Sequence, residues 1–344
     1  MPAVAGRRVS NPLPEASLDI DWAIVGGLLA GALAGAAARF GRLCTMSAIE
    51  DALIGRDTRG AKAWGLAIAV AIGATQLGAA LGWLDIARNP YAASKVHLLG
   101  AMAGGVVFGL GMTLVGTCSF GLLVRAGGGD LRALVSALVV GIFAFAITAG
   151  ALAPLREPLL GIATLDLAGH GGASLDRLLQ HRLGIHFAHA FVIGLVAILI
   201  AAAVLDRRLR RRPRLLLGAV AMGLSIAVGW LATTRAVEAL ALDRPESLSF
   251  VAPVGRALLQ FMMEPLRNVG FGVAAMCGTV LASLAVAAAR AEVRWEAFDD
   301  PQEMRRHLLG AALMGTGGVL AQGCTVGQGL SAASTLAVSA PIFI

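Results

Sequence analysis

The stretch Gly104–Gly121, GGVVFGLGMTLVGTCSFG, returns 206 residues later as Gly310–Gly327, GAALMGTGGVLAQGCTVG. Superposed, Gly104, Gly109, Gly111, Cys118 and Gly121 fall on Gly310, Gly315, Gly317, Cys324 and Gly327. A hydroxyl follows each cysteine, Ser119 in one copy and Thr325 in the other. Glycine costs a helix interior roughly 1 kcal/mol relative to alanine, so the seven glycines in each of the apolar runs 98–124 and 308–331 need a physical reason. Two reasons fit. Small residues let helix backbones approach closely in lipid. Alternatively, glycine marks a helix broken at membrane depth, whose freed backbone groups are tolerated only where they line a cavity or lie buried in protein. Length favours the break. Run 98–124 is 27 residues without a charge, about 40 Å as a straight helix against a hydrocarbon core of about 30 Å. Breaks are therefore expected near Gly116–Ser119 and Gly323–Thr325, which makes Cys118 and Cys324 lining residues of a path.

Composition sets the surroundings of these elements. Of 344 residues, 57% are apolar and only 14% charged, with mean hydropathy +0.78. A soluble domain carries about 25% charged residues, so this chain is a polytopic membrane protein. The first 20 residues contain Arg7 and Arg8 but no apolar core behind them, and read as a disordered tail rather than a cleavable signal. The net charge of +7 does not point to nucleic acid. The basic residues crowd beside apolar spans, notably Arg207, Arg208, Arg210, Arg211, Arg212 and Arg214, as in a cytoplasmic loop under the positive-inside rule.

The offset of 206 extends beyond the two cysteines. It carries the apolar span 22–41 onto 228–247, the short segment 42–54 onto 248–260 and span 63–84 onto 269–290. The spans read independently there are 215–234, 253–266 and 268–289. The expected fold is all-α, with eight or nine transmembrane helices plus short re-entrant half-helices. A tail over 1–21 precedes repeat 1 (about 22–124), connecting spans (131–205) and repeat 2 (about 215–331). With the arginine run inside the cell and both short segments re-entrant, the halves have opposite orientations, a transporter signature that puts the site at mid-membrane. His181, His186 and His189 are spaced by five and three, with no carboxylate or cysteine ligand nearby. They read as interfacial histidines, and no metal or cofactor is expected.

Cys44, Cys118, Cys277 and Cys324 all lie in apolar surroundings, with no CxxC pair to mark a dithiol or zinc site. The motifs Gly41-Arg42-Leu43-Cys44-Thr45-Met46, Gly105 to Cys118 continued by Leu122-Leu123-Val124-Arg125-Ala126-Gly127-Gly128-Gly129, and Gly323-Cys324-Thr325-Val326-Gly327-Gln328-Gly329 together resemble the YeeE/YedE sulfur-transport family. The resemblance runs from about residue 22 to 340. It implies a bacterial inner-membrane permease, not an enzyme, that takes up thiosulfate and passes it between central cysteines. Those cysteines carry over to Cys44, Cys118 and Cys324, with Cys277 as a further match on the preceding span. Ser119 stands where the family often has glycine, and the carboxyl end looks short for a complete final helix. The partners implied are the sulfur anion, the lipid bilayer and a cytoplasmic sulfur-carrier protein.

Physically, thiosulfate is a dianion with a soft terminal sulfur and hard oxygens. A bare charge in the membrane interior costs tens of kcal/mol by an idealised Born argument, so it needs compensation that does not trap it. Helix N-termini facing a break offer unpaired N–H groups, and a neutral thiol is a weak donor that meets soft sulfur without adding charge. The expected path is lined by Cys44, Cys118, Cys277, Cys324, Ser119, Thr325, Gly116, Gly323 and Gln328, with Gln328 either lining or bracing. Arg39, Arg42 and Arg125 are candidates for attracting the anion. Two alternatives use the same thiols: a soft-metal transporter of the Cu(I) type, which predicts closely spaced Met and Cys pairs, and a membrane thiol oxidoreductase, which predicts paired reactive cysteines.

Overall fold

The computed structural model describes residues 15–86, 88–92, 95–161, 163–166, 173–240, 244–263 and 269–343. The expected tail lies outside these as far as residue 14, and Glu15 already opens α1 (Glu15–Gly41). Two short helices follow long ones after brief interruptions: α2 (Thr45–Leu53) after α1, and α5 (Ser119–Ala126) after α4 (Leu98–Val115). Between them runs α3 (Arg59–Ala80). The connecting region holds α6 (Leu131–Thr148), α7 (Ala153–Gly161), α8 (Leu175–Leu183) and α9 (Ile185–Val204). The second half holds α10 (Arg207–Arg210), α11 (Pro213–Leu240), α12 (Ala252–Met263), α13 (Phe271–Ala289), α14 (Pro301–Leu320) and α15 (Ser339–Phe343).

Among the described residues, seven segments are long and apolar enough to cross a bilayer, counting α1 with α2 and α4 with α5 as single spans. Helix α14 is an eighth long helix whose first turns carry Glu303, Arg305 and Arg306 before the sequence becomes apolar. The chain is an all-α polytopic membrane protein. Its sheet content is slight: β1 (Lys95–His97) pairs antiparallel with β2 (Thr164–Asp166), tying two loops together outside the spans.

Glycine-lined crossings hold the bundle together. A Cβ built on Gly111 would lie 2.5 Å from Gly310 O, and one on Gly104 would lie 2.5 Å from Ala321 N. Helices α4 and α14 therefore run antiparallel with their backbones in contact. Helix α1 is also antiparallel to α11, with Gly26 opposite Ala232 and Gly41 opposite Gly218. It runs parallel to α13, Gly27 meeting Phe271 and Gly35 meeting Thr279. Water-driven collapse is absent between apolar helices in lipid, so this close fit, with its dispersion contacts, takes over as the cohesive force. The hydroxyls of Thr279 and Ser283 add bonds across crossings, to Gly31 O at 3.1 Å and Val124 O at 2.6 Å.

Charged groups gather at one end of the bundle. Arg39 and Arg42 reach Glu292 at 3.5 and 3.4 Å, Lys62 meets Asp206 at 2.6 Å, and Arg290 lies 4.7 Å over the Phe40 ring. The ends of α1 and α13, the start of α3 and the arginine run thus share one face, called the arginine face below.

Candidate functional site

Three of the four cysteines occupy the same local structure. A helix ends, one residue turns left-handed, and the cysteine follows two positions later. The left-handed residues are Arg42 (φ 53°), Gly116 (φ 77°) and Gln322 (φ 58°), ahead of Cys44, Cys118 and Cys324. Glycine takes this conformation freely, whereas Arg and Gln pay a steric cost of about 1–2 kcal/mol. Strain of this kind persists where surrounding structure enforces it, commonly at functional sites. The second break, expected near Gly323–Thr325, begins just before that range, and Gln322 takes the left-handed turn. A Cβ on Gly323 would press at 3.1 Å on Gln328 Cγ, so this glycine is there for close packing.

Beyond each turn the chain coils again, and the two repeat-related sulfurs act alike. Cys118 Sγ accepts from Gly121 N at 3.4 Å, and Cys324 Sγ accepts from Gly327 N at the same distance. Cys44 is the N-cap of α2 but its side chain makes no capping bond. Ser119 is the first residue of α5 at negative φ, so no glycine is required there. After Cys324 the coil is a π-helix, Gly327–Ala332, wholly buried.

A cavity of about 370 Å³ is walled by Cys44, Thr45, Trp64, Thr117 and Cys118 together with Arg39, Arg42, Arg125 and Glu292. It adjoins a wider vestibule of about 560 Å³ on the arginine face, with Arg42, Cys44, Ser47 and Trp64 common to both. Arg59, Arg211, Arg212, Arg214 and Arg290 line the vestibule against Asp51 and Asp57. Arg59 grips Asp57 through its side chain and holds that carboxyl down at about 2. Inward, Cys118 is 2% exposed and Cys324 0%. Cys118 shares the cavity wall with Cys44, and Thr325, next to Cys324 in the chain, adjoins its thiol. The Thr325 hydroxyl lies beside that thiol without the alignment of a hydrogen bond, since Thr325 Oγ1 has no partner.

Cys324 is wholly enclosed. Phe250, which falls on Cys44 under the 206-residue offset, packs against Phe120 with centroids 4.8 Å apart. Tyr91, the one tyrosine of the chain, lies edge-on to Trp230 at 6.5 Å, and its hydroxyl would be 3.5 Å from a Cβ on Gly327. Burial pushes the Tyr91 phenol up, so it stays a neutral donor. Gln328 is fully buried and braces this end: its amide donates to Ala321 O at 2.7 Å and accepts from Ser339 Oγ at 3.1 Å.

Cys277 is separate from this arrangement. The side of α13 that meets α1 carries Phe271, Ala274, Ala275 and Gly278. Cys277 points elsewhere, in line with the exposed Leu281 and Leu284 one and two turns on. Half-buried, Cys277 lines neither of the two cavities. Trp64 is the reverse case, absent from the sequence-based set yet on both cavities, with an indole N–H that is buried and unpartnered. A tryptophan near the start of a span reads as an interfacial anchor, which hides it.

A family model described as sulphur transport matches residues 40–344, a span that includes every cysteine and every lining residue from Phe40 onward. The chain belongs to the sulphur-transport (YeeE/YedE) family. Within that family it is similar to the thiosulfate transporter TsuA of Spirochaeta thermophila, 26% identical over 322 residues that cover 91% of this chain and 92% of the relative. It is likewise similar to TsuA of Escherichia coli, 28% identical over 337 residues, 89% and 86% of the two chains.

Proposed function

We propose that the protein imports thiosulfate, or a closely related sulfur oxyanion, across the bacterial inner membrane, without chemical conversion, by way of Cys118, Cys324 and Cys44. The observation that carries this reading is the contiguity of the three thiols. Cys44 and Cys118 wall one cavity, Thr325 beside Cys324 in sequence reaches the Cys118 thiol, and Cys44 opens onto the arginine-lined vestibule. The names of the two relatives support the choice of anion.

The two halves act as inverted repeats. Repeat mates α1 and α11 are antiparallel, as are α4 and α14, which is what a two-fold axis in the membrane plane requires. Strict symmetry would put a thiol on each side of the central pair, but Cys44 on one side is answered by Phe250 on the other. In this reading the arginine face is the open side, and Phe250 and Tyr91 close the other. By the positive-inside rule that face is cytoplasmic, so the anion leaves past Arg39, Arg42 and Arg125 into the vestibule. There a cytoplasmic sulfur-carrier protein receives it. Several weak sites in series allow uptake and release, whereas one strong cation site would retain a dianion.

The test is uptake of radiolabelled thiosulfate by cells producing Cys118→Ser or Cys324→Ser protein at normal membrane levels. Both are expected to lose most of the rate, because serine keeps the size but not the soft sulfur contact. Wild-type uptake by both would remove the basis of the thiol path.

A further inference from the structure

We propose that Thr45, Ser119 and Thr325 form the oxygen-binding half of the path, three hydroxyl donors that take the oxyanion end of the substrate while the adjoining thiols take its terminal sulfur. This rests on the thiol path proposed above. The motivating pattern is a coincidence of sequence and burial. Each cysteine of the path is followed at once by a hydroxyl residue, and each of these hydroxyl oxygens is shielded from solvent with no hydrogen-bond partner. Ser119 as a whole is 2% exposed. Cys277, which stands outside the path, is followed by Gly278.

Most hydroxyls elsewhere in the described spans do not behave this way. Ser136, Thr148, Thr233 and Thr279 each bond back to the carbonyl four residues earlier, at 2.7 to 3.0 Å. That is the ordinary fate of Ser and Thr in an apolar helix. Thr45 and Ser119 open their helices, and Thr325 directly follows a chain turn. None has a helical carbonyl behind it to accept its proton. Two other orphaned hydroxyls, Thr75 and Thr234, sit inside α3 and α11 and adjoin no cysteine in sequence. A buried donor left unpaired costs stability, and folds retain such groups where function needs them.

The chemistry matches the need. A thiosulfate-type anion carries charged oxygens on its central sulfur, and a hydroxyl is a neutral donor that shortens and strengthens its bond to a charged acceptor. Thr325 lies beside the Cys118 thiol, across the two halves. An anion seated between Cys118 and Cys324 thus meets sulfur and hydroxyl groups from both repeats. Neutral donors at successive stations pass the charge along without holding it.

The experiment compares Thr45→Val, Ser119→Ala, Thr325→Val and Cys118→Ser, reading concentration-dependent thiosulfate uptake in cells and the melting temperature of each purified protein. Each hydroxyl variant is expected to lose about tenfold or more in uptake efficiency, with a melting temperature equal to or above wild type because an unpaired buried donor has gone. Thr45→Ser and Thr325→Ser, which keep the hydroxyl, are expected to restore uptake. Wild-type uptake by all three hydroxyl variants, with Cys118→Ser inactive, overturns the hydroxyl role alone. Wild-type uptake by Cys118→Ser overturns the thiol path beneath it. A melting temperature that falls in step with uptake assigns the hydroxyls to folding and also refutes the proposal.

Discussion

Replacing Gly317 by alanine tests whether backbone contact between α4 and α14 holds the centre of the bundle. The new Cβ would lie 2.5 Å from Phe108 N, 2.7 Å from Gly104 O and 3.0 Å from Phe108 Cα. All three are backbone atoms, so no side chain can swing aside and the helices must part. Overpacking of this kind costs about 1–3 kcal/mol, set against a gain of up to about 1 kcal/mol from the better helix propensity of alanine. Gly109→Ala is the internal control. It lies in α4 at a position where an added Cβ meets nothing within 4 Å, so it collects the propensity gain alone. Subtracting one variant from the other cancels propensity and leaves the overlap cost, about 1–3 kcal/mol. At roughly 2 °C per kcal/mol, thermal unfolding in detergent should put Gly317→Ala roughly 2–6 °C below Gly109→Ala. Equal melting temperatures would refute the close crossing.

Three further outcomes are expected. Cys277→Ser should transport at the wild-type rate, since its half-buried side chain lines neither cavity; a severe loss would put it in the path. Tyr91→Ala should expose Cys324, now 0% accessible, to a membrane-impermeant maleimide added from the face opposite the arginines, while Tyr91→Phe should not; unchanged labelling in Tyr91→Ala would mean that Tyr91 does not close that side. Asp57, held near 2 against an ordinary 3.8 by Arg59, has a depressed carboxyl, so its contribution is full above about pH 4 and is lost as pH falls through 2. The difference in melting temperature between wild type and Asp57→Asn should therefore be constant from pH 7 to about 4 and shrink only below that; a difference that vanishes between pH 7 and 5 would contradict the Arg59 contact.

Much of this arrangement is legible in the residues because the decisive signal is local. Glycine and an unpaired cysteine recurring at a fixed offset within a charge-free run too long for one crossing mark a broken helix, and α4 does break at Gly116 before Cys118. Helix faces are another matter. In lipid the outward face is as apolar as the core, so periodicity cannot separate Cys277 from Cys324; only packing against α1 shows that Cys277 turns away. The left-handed turn at Gln322 was hidden because glycine is the default reading for such a conformation and Gly323 stood next to it. Trp64 and Phe250 were missed for a related reason. Their places, on the cavity that Cys44 lines and against Phe120, are set by tertiary packing, and neither carries a motif of its own. The pairing of Lys95–His97 with Thr164–Asp166 joins two three-residue strands across nearly seventy residues, too short a pattern to register as strand.

The near-total enclosure of Cys118 and Cys324 has an electrical corollary. An anion that passes between these thiols, as proposed above, must leave most of its hydration behind. Each elementary charge moved across the bilayer is worth about 2.3 kcal/mol per 100 mV, so a dianion driven toward a negative interior climbs about 4.6 kcal/mol at that voltage. If uptake runs in the proposed direction, it must meet that slope by coupling to another gradient or by removal of the anion as it emerges among the arginines.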